Sequence, residues 1–496
     1  MKQKNILIFM TDEHRLSGVG AYGKTPCKTP NIDALAKQGV LFENAYTACP
    51  LCSPARASLM TGLHIHAHGM TANEGEMGCG NDKIPDSLNL LGRKLQSAGY
   101  NCGFNGKWHI SQATVPTKCG FLGYDYWGHG SGGHYYQDYR DYVTSLGFEW
   151  KIKPHEADGE KITGFGITGF PEEGTVSHYL ADNTMKLIDE MSGEGKPFFM
   201  WHNDWGPHGE HWVPQEYYDM YKDVEIPEWE NFDWDDPNHP VRLMSGVPNW
   251  RQFSFEDYAE VIRHYYAFCT LIDHQLGRIV KHLEEKGLLD DTVIIFTADH
   301  GETLGSHGGI TNKGWSHFDE IQRIPLIVAD PAGKRNEAVK ELTSLLDVYA
   351  TACDYAGADY SNSHGHSLLQ FVENKPKTVK RWRDCVFVEF FGLSSCATNM
   401  VTCRSGDFKY GWTCSNKDEL YDLKNDPFEM HNLIDDPAYC ETLSHLRKCM
   451  YTFFEESGYP AAYAFKRNVL GWNIDRQYLY EADPVSTNDF LVDIVW

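Results

Sequence analysis

The hydrophobic positions of this chain fall into short apolar runs separated by longer stretches with helical periodicity. The apolar runs, each typical of a buried strand, lie at residues 6–10, 40–42, 198–201, 293–296 and 325–328. The stretches with helical periodicity lie at residues 88–98, 179–191, 258–283 and 342–355. Buried strands that alternate with helices are typical of a mostly parallel sheet with helices on both faces. We therefore predict an α/β fold in which helices sandwich a large, mostly parallel sheet.

The chain changes pattern after the last of these helices. Apolar stretches at residues 386–391 and 408–410 precede a helical pattern near residues 441–455, which indicates a smaller antiparallel sheet packed by one helix. We expect three parts: a large α/β domain over residues 1–380, an α+β subdomain over 381–457 and a tail over 458–496. The tail packs on its own subunit or on a neighbouring one, and the second arrangement would make the chain a homo-oligomer.

Charge and cysteine content narrow the class of protein. The 496 residues include 69 Asp and Glu against 44 Lys and Arg, a net charge of -25, which argues against binding to nucleic acid or to an anionic membrane. The apolar run that begins at Asn5 is too short for a signal peptide, and no run in the sequence reaches transmembrane length. The 14 cysteines lack the spacing of a disulfide scaffold and suit free thiols. We therefore expect a cytoplasmic protein.

The most specific pattern of the chain is the stretch from Cys49, which reads Cys-Pro-Leu-Cys-Ser-Pro-Ala-Arg-Ala-Ser-Leu-Met-Thr-Gly. Pro54 suits the first turn of a helix, and Gly62 suits the position after its end. Cys52 would then lie at a helix N-terminus, which favours an anionic ligand, with Arg56 one turn further on the same face. Two other interpretations stay open at this point: a redox pair of Cys49 and Cys52, or a buried structural thiol.

The spacing of Cys52, Pro54 and Arg56, followed by Leu-Met-Thr-Gly, resembles the signature of the type I sulfatases, within the alkaline-phosphatase-like superfamily. In that family the cysteine is oxidised after synthesis to formylglycine, so the resemblance implies a maturation enzyme that converts Cys52. The hydrated aldehyde carries two hydroxyls on one carbon. The resemblance implies that one hydroxyl attacks sulfur and that the other later expels sulfate.

Two pairs of possible metal ligands follow predicted strands. Asp12-Glu13 follows the first strand, and Asp299-His300 follows a later one. Carboxylates at strand ends suit a hard divalent cation, which takes several oxygen ligands. Both pairs resemble metal-binding segments of the sulfatases, which implies a site formed by Asp12, Glu13, Asp299, His300 and the modified Cys52. Calcium is the expected metal. Many sulfatases have Asp and Asn at these positions, and a histidine ligand suits manganese better, so manganese and magnesium stay open.

Three further segments resemble sulfatase motifs. In Gly-Lys-Trp-His, Lys107 and His109 are expected to contact the aldehyde hydrate and the ester, the lysine as a compact charge and the histidine as a base. His208, in a Pro-His pair after a strand, is expected to protonate the leaving alcohol. Lys313 is expected to hold sulfate, and Arg56 to hold the hydrate in place.

Two histidines near these motifs have less specific patterns. His64 follows the nucleophile motif, and His307 follows the Asp299-His300 pair. We expect both to border the substrate, with a purely structural role as the alternative.

The resemblance therefore implies hydrolysis of a sulfate monoester on a small molecule or an oligosaccharide, with sulfated carbohydrate as the commonest substrate class of the family. A phosphonate monoester or phosphodiester hydrolase is the nearest alternative, because such enzymes resemble this chain in pairing the second metal aspartate with histidine, as Asp299 and His300 do. A catalytically silent anion-binding protein, in which Cys52 stays a thiol, is the alternative from another class.

Overall fold

Seventeen strands lie in the part of the chain that the structure, a computed structural model, describes. They are β1 (Asn5–Asp12), β2 (Val40–Phe42), β3 (Ala45–Tyr46), β4 (Asn101–Gly106), β5 (Leu122–Gly123), β6 (Ile152–Pro154), β7 (Phe165–Thr168), β8 (Phe198–Pro207), β9 (His211–Val213), β10 (Thr292–Ala298), β11 (Leu326–Ala329), β12 (Glu337–Val339), β13 (Thr343–Ser344), β14 (Cys385–Leu393), β15 (Cys396–Ser405), β16 (Phe408–Thr413) and β17 (Glu419–Asp422). The described residues are 3–76, 81, 84–85, 88, 90–111, 113–125, 136–154, 164–193, 195–236, 239, 241, 253–374, 382–393, 396–414 and 416–470.

The same ranges contain thirteen α-helices. They are α1 (Pro30–Gln38), α2 (Cys52–Thr61), α3 (Ile65–His68), α4 (Leu91–Ser97), α5 (Gln137–Ser145), α6 (Val176–Ser192), α7 (Gln215–Tyr218), α8 (Phe255–Glu285), α9 (Asp319–Gln322), α10 (Leu346–Ala356), α11 (Leu369–Val372), α12 (Cys440–Ser457) and α13 (Ala462–Asn468). A distorted turn, Ser306–Gly309, has backbone angles outside the helical region at its second and third residues. Within the described ranges, none of these helices has the length and apolar character needed to cross a bilayer.

Eight of the strands form one large sheet in the order β12-β2-β11-β10-β1-β8-β4-β5. Every neighbouring pair is parallel except the two pairs of β11, which runs antiparallel to β10 and to β2. The predicted α/β fold with a large, mostly parallel sheet is confirmed.

Alternate residues of the central strand β1 bury opposite faces of this sheet, as the pleat requires. Ile6, Ile8 and Met10 pack with side chains of α2, α4 and α10. Leu7 and Phe9 pack with α1, α6 and α8 on the other face. Both faces of the strand are therefore covered by helices, which explains why its sequence is continuously apolar rather than alternating.

The four strands β14-β15-β16-β17 form the second, antiparallel sheet that the sequence predicts. Charged groups connect it to the segment that contains α9. The buried ammonium of Lys409 lies 2.9 Å from the carboxylate of Asp319 and also pairs with Glu429. Buried charges are tolerated when they are paired in this way, so these pairs hold the small sheet in place.

The chain forms two compact units, Met1–Leu433 and Ile434–Trp496. Helix α12 of the second unit matches the helix expected near residues 441–455, and its Phe454 stacks on Tyr459 with ring centroids 4.2 Å apart. The predicted domain limits stay a prediction, and the first of them falls in residues 375–381, outside the described residues. The subunit contact expected from the tail also stays a prediction, because residues 471–496 are not described.

A carboxylate from the long helix α8 caps the neighbouring helix α1. Asp273 accepts hydrogen bonds from the backbone N–H groups of Asn31 and Ile32 at 3.0 and 2.7 Å and from the side-chain amide of Asn31 at 2.8 Å. The first N–H groups of a helix have no partner inside the helix. Asp273 therefore satisfies donors that would otherwise be buried and unpaired.

We expect Asp273→Ala to lower the free energy of unfolding by about 3 kcal/mol, because it leaves buried donors without an acceptor. Urea unfolding followed by circular dichroism measures this change. Glu284→Ala, an exposed position of the same helix, should stay within about 0.5 kcal/mol of the parent protein. Equal effects of the two substitutions would contradict the capping role.

Candidate active site

The site forms where neighbouring parallel strands end at the same edge of the large sheet. Thr11 pairs with Ala298, so the residues that follow, Asp12 and Asp299, emerge side by side from β1 and β10. On the other side of β1, strands β8 and β4 end at the same edge, and Gly106 pairs there with Asn203. The carboxyl edge of a parallel sheet is the usual place for a site, and here it gathers residues far apart in sequence.

Cys52 is the first residue of helix α2, as its flanking residues predict. The helix runs to Thr61 and ends at Gly62, whose φ of 72° is the left-handed conformation that glycine adopts readily. The Cys52 sulfur lies 3.3 Å from Nε2 of His300 and 3.6 Å from Oδ1 of Asp12. The structure therefore brings the cysteine and the two acidic segments together.

Four side chains of this site can share one cation. Single donor atoms of Asp12, Cys52, Asp299 and His300 all lie within 4.8 Å of one another, and all four residues are buried. Two carboxylates and an imidazole are suitable ligands for a divalent cation. The donor set therefore fits the metal that the sequence predicts, with position 52 as part of the site.

Arg56 holds the two aspartates in place. Its Nε donates to Asp299 at 3.0 Å, and one terminal nitrogen donates to Asp12 at 3.1 Å. The other terminal nitrogen donates to the backbone carbonyl of Lys107 at 2.9 Å and to Oδ1 of Asn203 at 3.0 Å. The planar guanidinium thus uses its fork geometry to tie four strand ends together.

Lys107 follows the last residue of β4, and a glycine fixes its position. Gly106 has φ of 102°, and a Cβ at this residue would lie 1.8 Å from the carbonyl oxygen of Asn203. That same oxygen accepts a hydrogen bond from the backbone N–H of Lys107 at 3.1 Å. The close approach needs glycine, and it directs the Lys107 ammonium into an ion pair with Asp12.

A second set of ionisable side chains surrounds Glu13, the residue that follows Asp12. Glu13 pairs with the Lys313 ammonium at 3.0 Å and with Nε2 of His208 at 3.3 Å. Donor atoms of Asp12, Glu13 and His208 also lie within 4.8 Å of one another. Glu13 therefore links the predicted metal site to the two residues expected to contact the ester.

Burial and neighbouring charges decide the protonation of these groups. Burial and the Asp12 carboxylate raise the pKa of the Cys52 thiol, so an unmodified Cys52 stays protonated at neutral pH. Burial opposes ionisation of Asp12, but the Lys107 and Arg56 cations outweigh it and hold its pKa well below the usual range. An unmodified thiol here is a poor nucleophile, whereas Asp12 is an anionic ligand.

The two predicted proton-transfer histidines are neutral in this environment. Burial and the charges of Lys313 and Lys107 hold the pKa of His208 well below its ordinary value. Burial and Lys107 do the same for His109. Nδ1 of His109 is buried and has no hydrogen-bond partner among the described residues, so this ring has an unused nitrogen for proton transfer.

Two non-glycine residues of the site adopt the left-handed backbone conformation, Glu13 with φ of 59° and His109 with φ of 45°. Such angles cost energy and persist only where the surroundings impose them. For Glu13 these surroundings are visible, since its N–H donates to Asp299 at 3.0 Å and its carbonyl accepts from Tyr265 at 2.8 Å.

His64 and His307, expected to border the substrate, lie in other networks. His64 packs against the ring of His364 with centroids 5.2 Å apart. His307 stacks on Phe318 with centroids 3.4 Å apart, and the Asn231 side-chain amide donates to its Nδ1 at 3.1 Å. A contact of either histidine with substrate stays a prediction.

Sequence reasoning missed two positioning residues. Asn203 accepts from Arg56, and its place at the carboxyl end of an apolar strand was the signal for it. Glu302, three residues after Asp299, accepts from the backbone N–H groups of Leu304 at 2.9 Å and of Asn312. Asn203 positions the Arg56 guanidinium, and Glu302 orients the loop that follows β10.

Comparisons with known proteins agree with this geometry. A family model described as Sulfatase matches residues 4–358, and one described as N-sulphoglucosamine sulphohydrolase, C-terminal, matches residues 305–456. The chain is 29% identical to the arylsulfatase of Clostridium perfringens, over 92% of this chain and 95% of that protein. It is 26% identical to the N-acetylglucosamine-6-O-sulfatase of Bacteroides thetaiotaomicron, over 90% and 86%. The solved phosphonate monoester hydrolase of Agrobacterium radiobacter superposes with a TM-score of 0.76 at 26% identity, over 92% and 96%.

Addition of a divalent cation to metal-stripped protein should raise its unfolding temperature, because a ligand that binds only the folded state stabilises it by about 2.7 kcal/mol at a hundred times its Kd. Asp299→Ala should lose this shift, since it removes a carboxylate ligand. Differential scanning fluorimetry with and without Ca²⁺ or Mn²⁺ measures the shift. Asp290→Ala, an exposed aspartate before the opposite end of β10, should keep it. Loss of the shift in both variants would contradict the site.

Proposed function

Because this chain belongs to the sulfatase family of the alkaline-phosphatase-like superfamily and is a sulfuric ester hydrolase, we propose that it removes sulfate from a sulfated carbohydrate. It does so with formylglycine made from Cys52 and with one divalent cation. The observation that carries this proposal is the position of Cys52 at the start of α2, 3.6 Å from Asp12 and 3.3 Å from His300. Burial and Asp12 raise the pKa of the Cys52 thiol, so an unmodified Cys52 would be a weak nucleophile at neutral pH.

Formylglycine would supply a hydrated aldehyde with one hydroxyl to attack sulfur and a second to expel sulfate, and a bound cation would supply Lewis acidity beside it. Asp12, Asp299 and His300 would hold the cation. The chain's own residues provide positioning and charge. Arg56 keeps Asp12 and Asp299 together and stays charged, because both carboxylates raise its pKa although burial opposes its charge.

Two lysines form the cationic surroundings of the ester. Burial opposes the charge of Lys313, but Cys52, Glu13 and Asp12 raise its pKa overall, so its ammonium persists. The Lys107 ammonium forms an ion pair with Asp12. Fixed cations in a buried site stabilise charge that develops on sulfate oxygens far more than they would in water. They also draw an anionic ester to a protein whose net charge is -25.

His208 and His109 divide the proton transfers. His208 lies beside Glu13 and Lys313, and the negative charge of a bound ester favours its protonated form, which then donates to the leaving alcohol. His109 is neutral, and its Nδ1 has no hydrogen-bond partner within the described ranges, so it accepts the proton of the second hydroxyl.

Relatives support the substrate class. One relative is named as an N-acetylglucosamine-6-O-sulfatase and another as a Δ4,5-hexuronate-2-O-sulfatase. Both names describe enzymes that act on sulfated sugars. The metal we propose is calcium, as the family implies. The His300 nitrogen is a ligand type that manganese prefers to calcium, so elemental analysis of purified protein decides between the two.

The second candidate is hydrolysis of phosphonate monoesters with the same modified cysteine. It is favoured by the pairing of Asp299 with His300 and by the phosphonate monoester hydrolase that shares this fold. Lys107 and His109 in a Gly-Lys-Trp-His motif, as in the sulfatases, favour the sulfate ester.

We expect the mature protein to cleave an aryl sulfate with a higher kcat/KM than the matched aryl phosphonate monoester. Cys52→Ala should lower kcat on the sulfate by at least about a thousandfold, as loss of a nucleophile does, while the circular dichroism spectrum stays unchanged. Cys49→Ala, which changes the other buried cysteine of the same run, should keep most of the activity. A preference for the phosphonate would favour the second candidate, and loss of activity in Cys49→Ala would favour a redox pair.

Mass spectrometry of the peptide that contains residue 52 tests the modification. Conversion of the thiol to the aldehyde lowers the peptide mass by about 18 units, as the covalent change requires. We expect this lower mass in protein from the native host. An intact thiol there, with no turnover of sulfate esters, would instead indicate the silent anion-binding protein.

A further inference from the structure

Glu74 is a buried carboxylate near the active site. Its residue is 8% exposed, and neither carboxylate oxygen has a hydrogen-bond partner among the described residues. Buried polar groups in native proteins are nearly always hydrogen-bonded, and an unpaired one needs a specific explanation. A ligand that brings its own donors is one such explanation.

The backbone holds this residue beside the nucleophile. The N–H of Glu74 donates to the Ser53 hydroxyl at 3.2 Å, and the Ser53 N–H donates to the Asn73 side-chain oxygen at 3.1 Å. Ser53 directly follows Cys52. The segment of Glu74 is therefore fixed to the start of α2 by two hydrogen bonds.

Electrostatic interactions and ring packing describe the surroundings of the Glu74 carboxylate. Burial raises the pKa of Glu74 to about 7, and the Lys107 ammonium acts in the opposite direction. After burial, the Glu74 charge is the second cause that raises the pKa of the Tyr136 hydroxyl. The Tyr136 ring packs against Trp205 with centroids 5.5 Å apart. The Glu74 charge therefore acts on Lys107, which is predicted to contact the ester, and on the Tyr136 hydroxyl of an aromatic pair.

The carboxylate has the wrong charge for sulfate, and its chemistry suits another part of the substrate. Carboxylates accept hydrogen bonds from hydroxyl and ammonium groups, and aromatic rings commonly pack on the apolar face of such ligands. We propose that Glu74 is a specificity-determining residue that accepts a hydrogen bond from a donor on the alcohol part of the ester. It selects alcohols with a hydroxyl or an ammonium near the ester and rejects those with a second anion there. This inference rests on the proposed function.

The test compares kcat/KM on sugar sulfates with kcat/KM on p-nitrophenyl sulfate, whose alcohol has no donor. We expect Glu74→Gln to lower the ratio of the first to the second at least tenfold, since hydrogen bonds to charged groups are among the stronger ones. A panel of sulfated hexoses and hexosamines distinguishes hydroxyl from ammonium as the donor. Glu76→Gln removes the same charge from the same segment and should change the ratio less than twofold.

Inhibition by inorganic sulfate separates a folding defect from a change in specificity, because sulfate lacks the alcohol and its inhibition constant should stay unchanged in Glu74→Gln. If this variant does not fold, Glu74→Asp, which displaces the charge, should lower the ratio instead. An unchanged ratio, or an equal loss in Glu76→Gln, overturns the role of Glu74 and leaves the proposed function intact. A parent enzyme that cleaves aryl sulfate and no sugar sulfate also overturns this role. A mature protein that cleaves no sulfate ester overturns both.

Discussion

The guanidinium of Arg56 is the interaction on which the site depends. Asp12 and Asp299 are fully buried and lie next to each other, and two such carboxylates repel one another in a medium that screens charge poorly. Arg56 donates to both carboxylates at 3.0 to 3.1 Å. Its remaining nitrogen donates to the Lys107 backbone carbonyl and to the Asn203 side-chain oxygen. Asp12 can therefore stay ionised beside the Asp299 side chain, and the two carboxyl groups stay close enough to share one cation.

The large sheet gives this arrangement its reach. Parallel strands deliver their carboxyl ends to one edge whatever the distance between them in sequence. The loops that follow then need to travel only a few residues to place Asp12, Lys107 and Asp299 within contact of α2. Helices cover both faces of the sheet and fix the strands in place. A shift in the register of a strand would therefore move the site residue at its end.

Much of this could be predicted because the strong signals are local. Continuous apolar runs identify β1 and β10. Pro54 marks the first turn of α2, and Gly62 marks its C-terminal end. Strand β4 was not predicted, since Asn-Cys-Gly-Phe-Asn-Gly has neither an apolar run nor strong β propensity, and tertiary pairing with β8 determines its structure. The role of Asn203 was missed for a related reason, because its partner Arg56 lies in a distant segment. The role of Glu302 was missed because its donors come together only through the conformation of the loop that follows β10. The helix expected from residue 342 begins at Leu346, because Thr343–Ser344 pairs with β3 instead.

Gly106 shows how closely architecture and chemistry are joined in this protein. One peptide oxygen, that of Asn203, occupies the space that any larger residue would need and also positions the amide of Lys107. A substitution at position 106 would therefore disturb both the pairing of the two strands and the position of Lys107. A side chain there would have to push β4 away from β8, and the Lys107 ammonium would move with its strand, so the geometry of the sheet and the electrostatics of the site cannot be altered separately at this point.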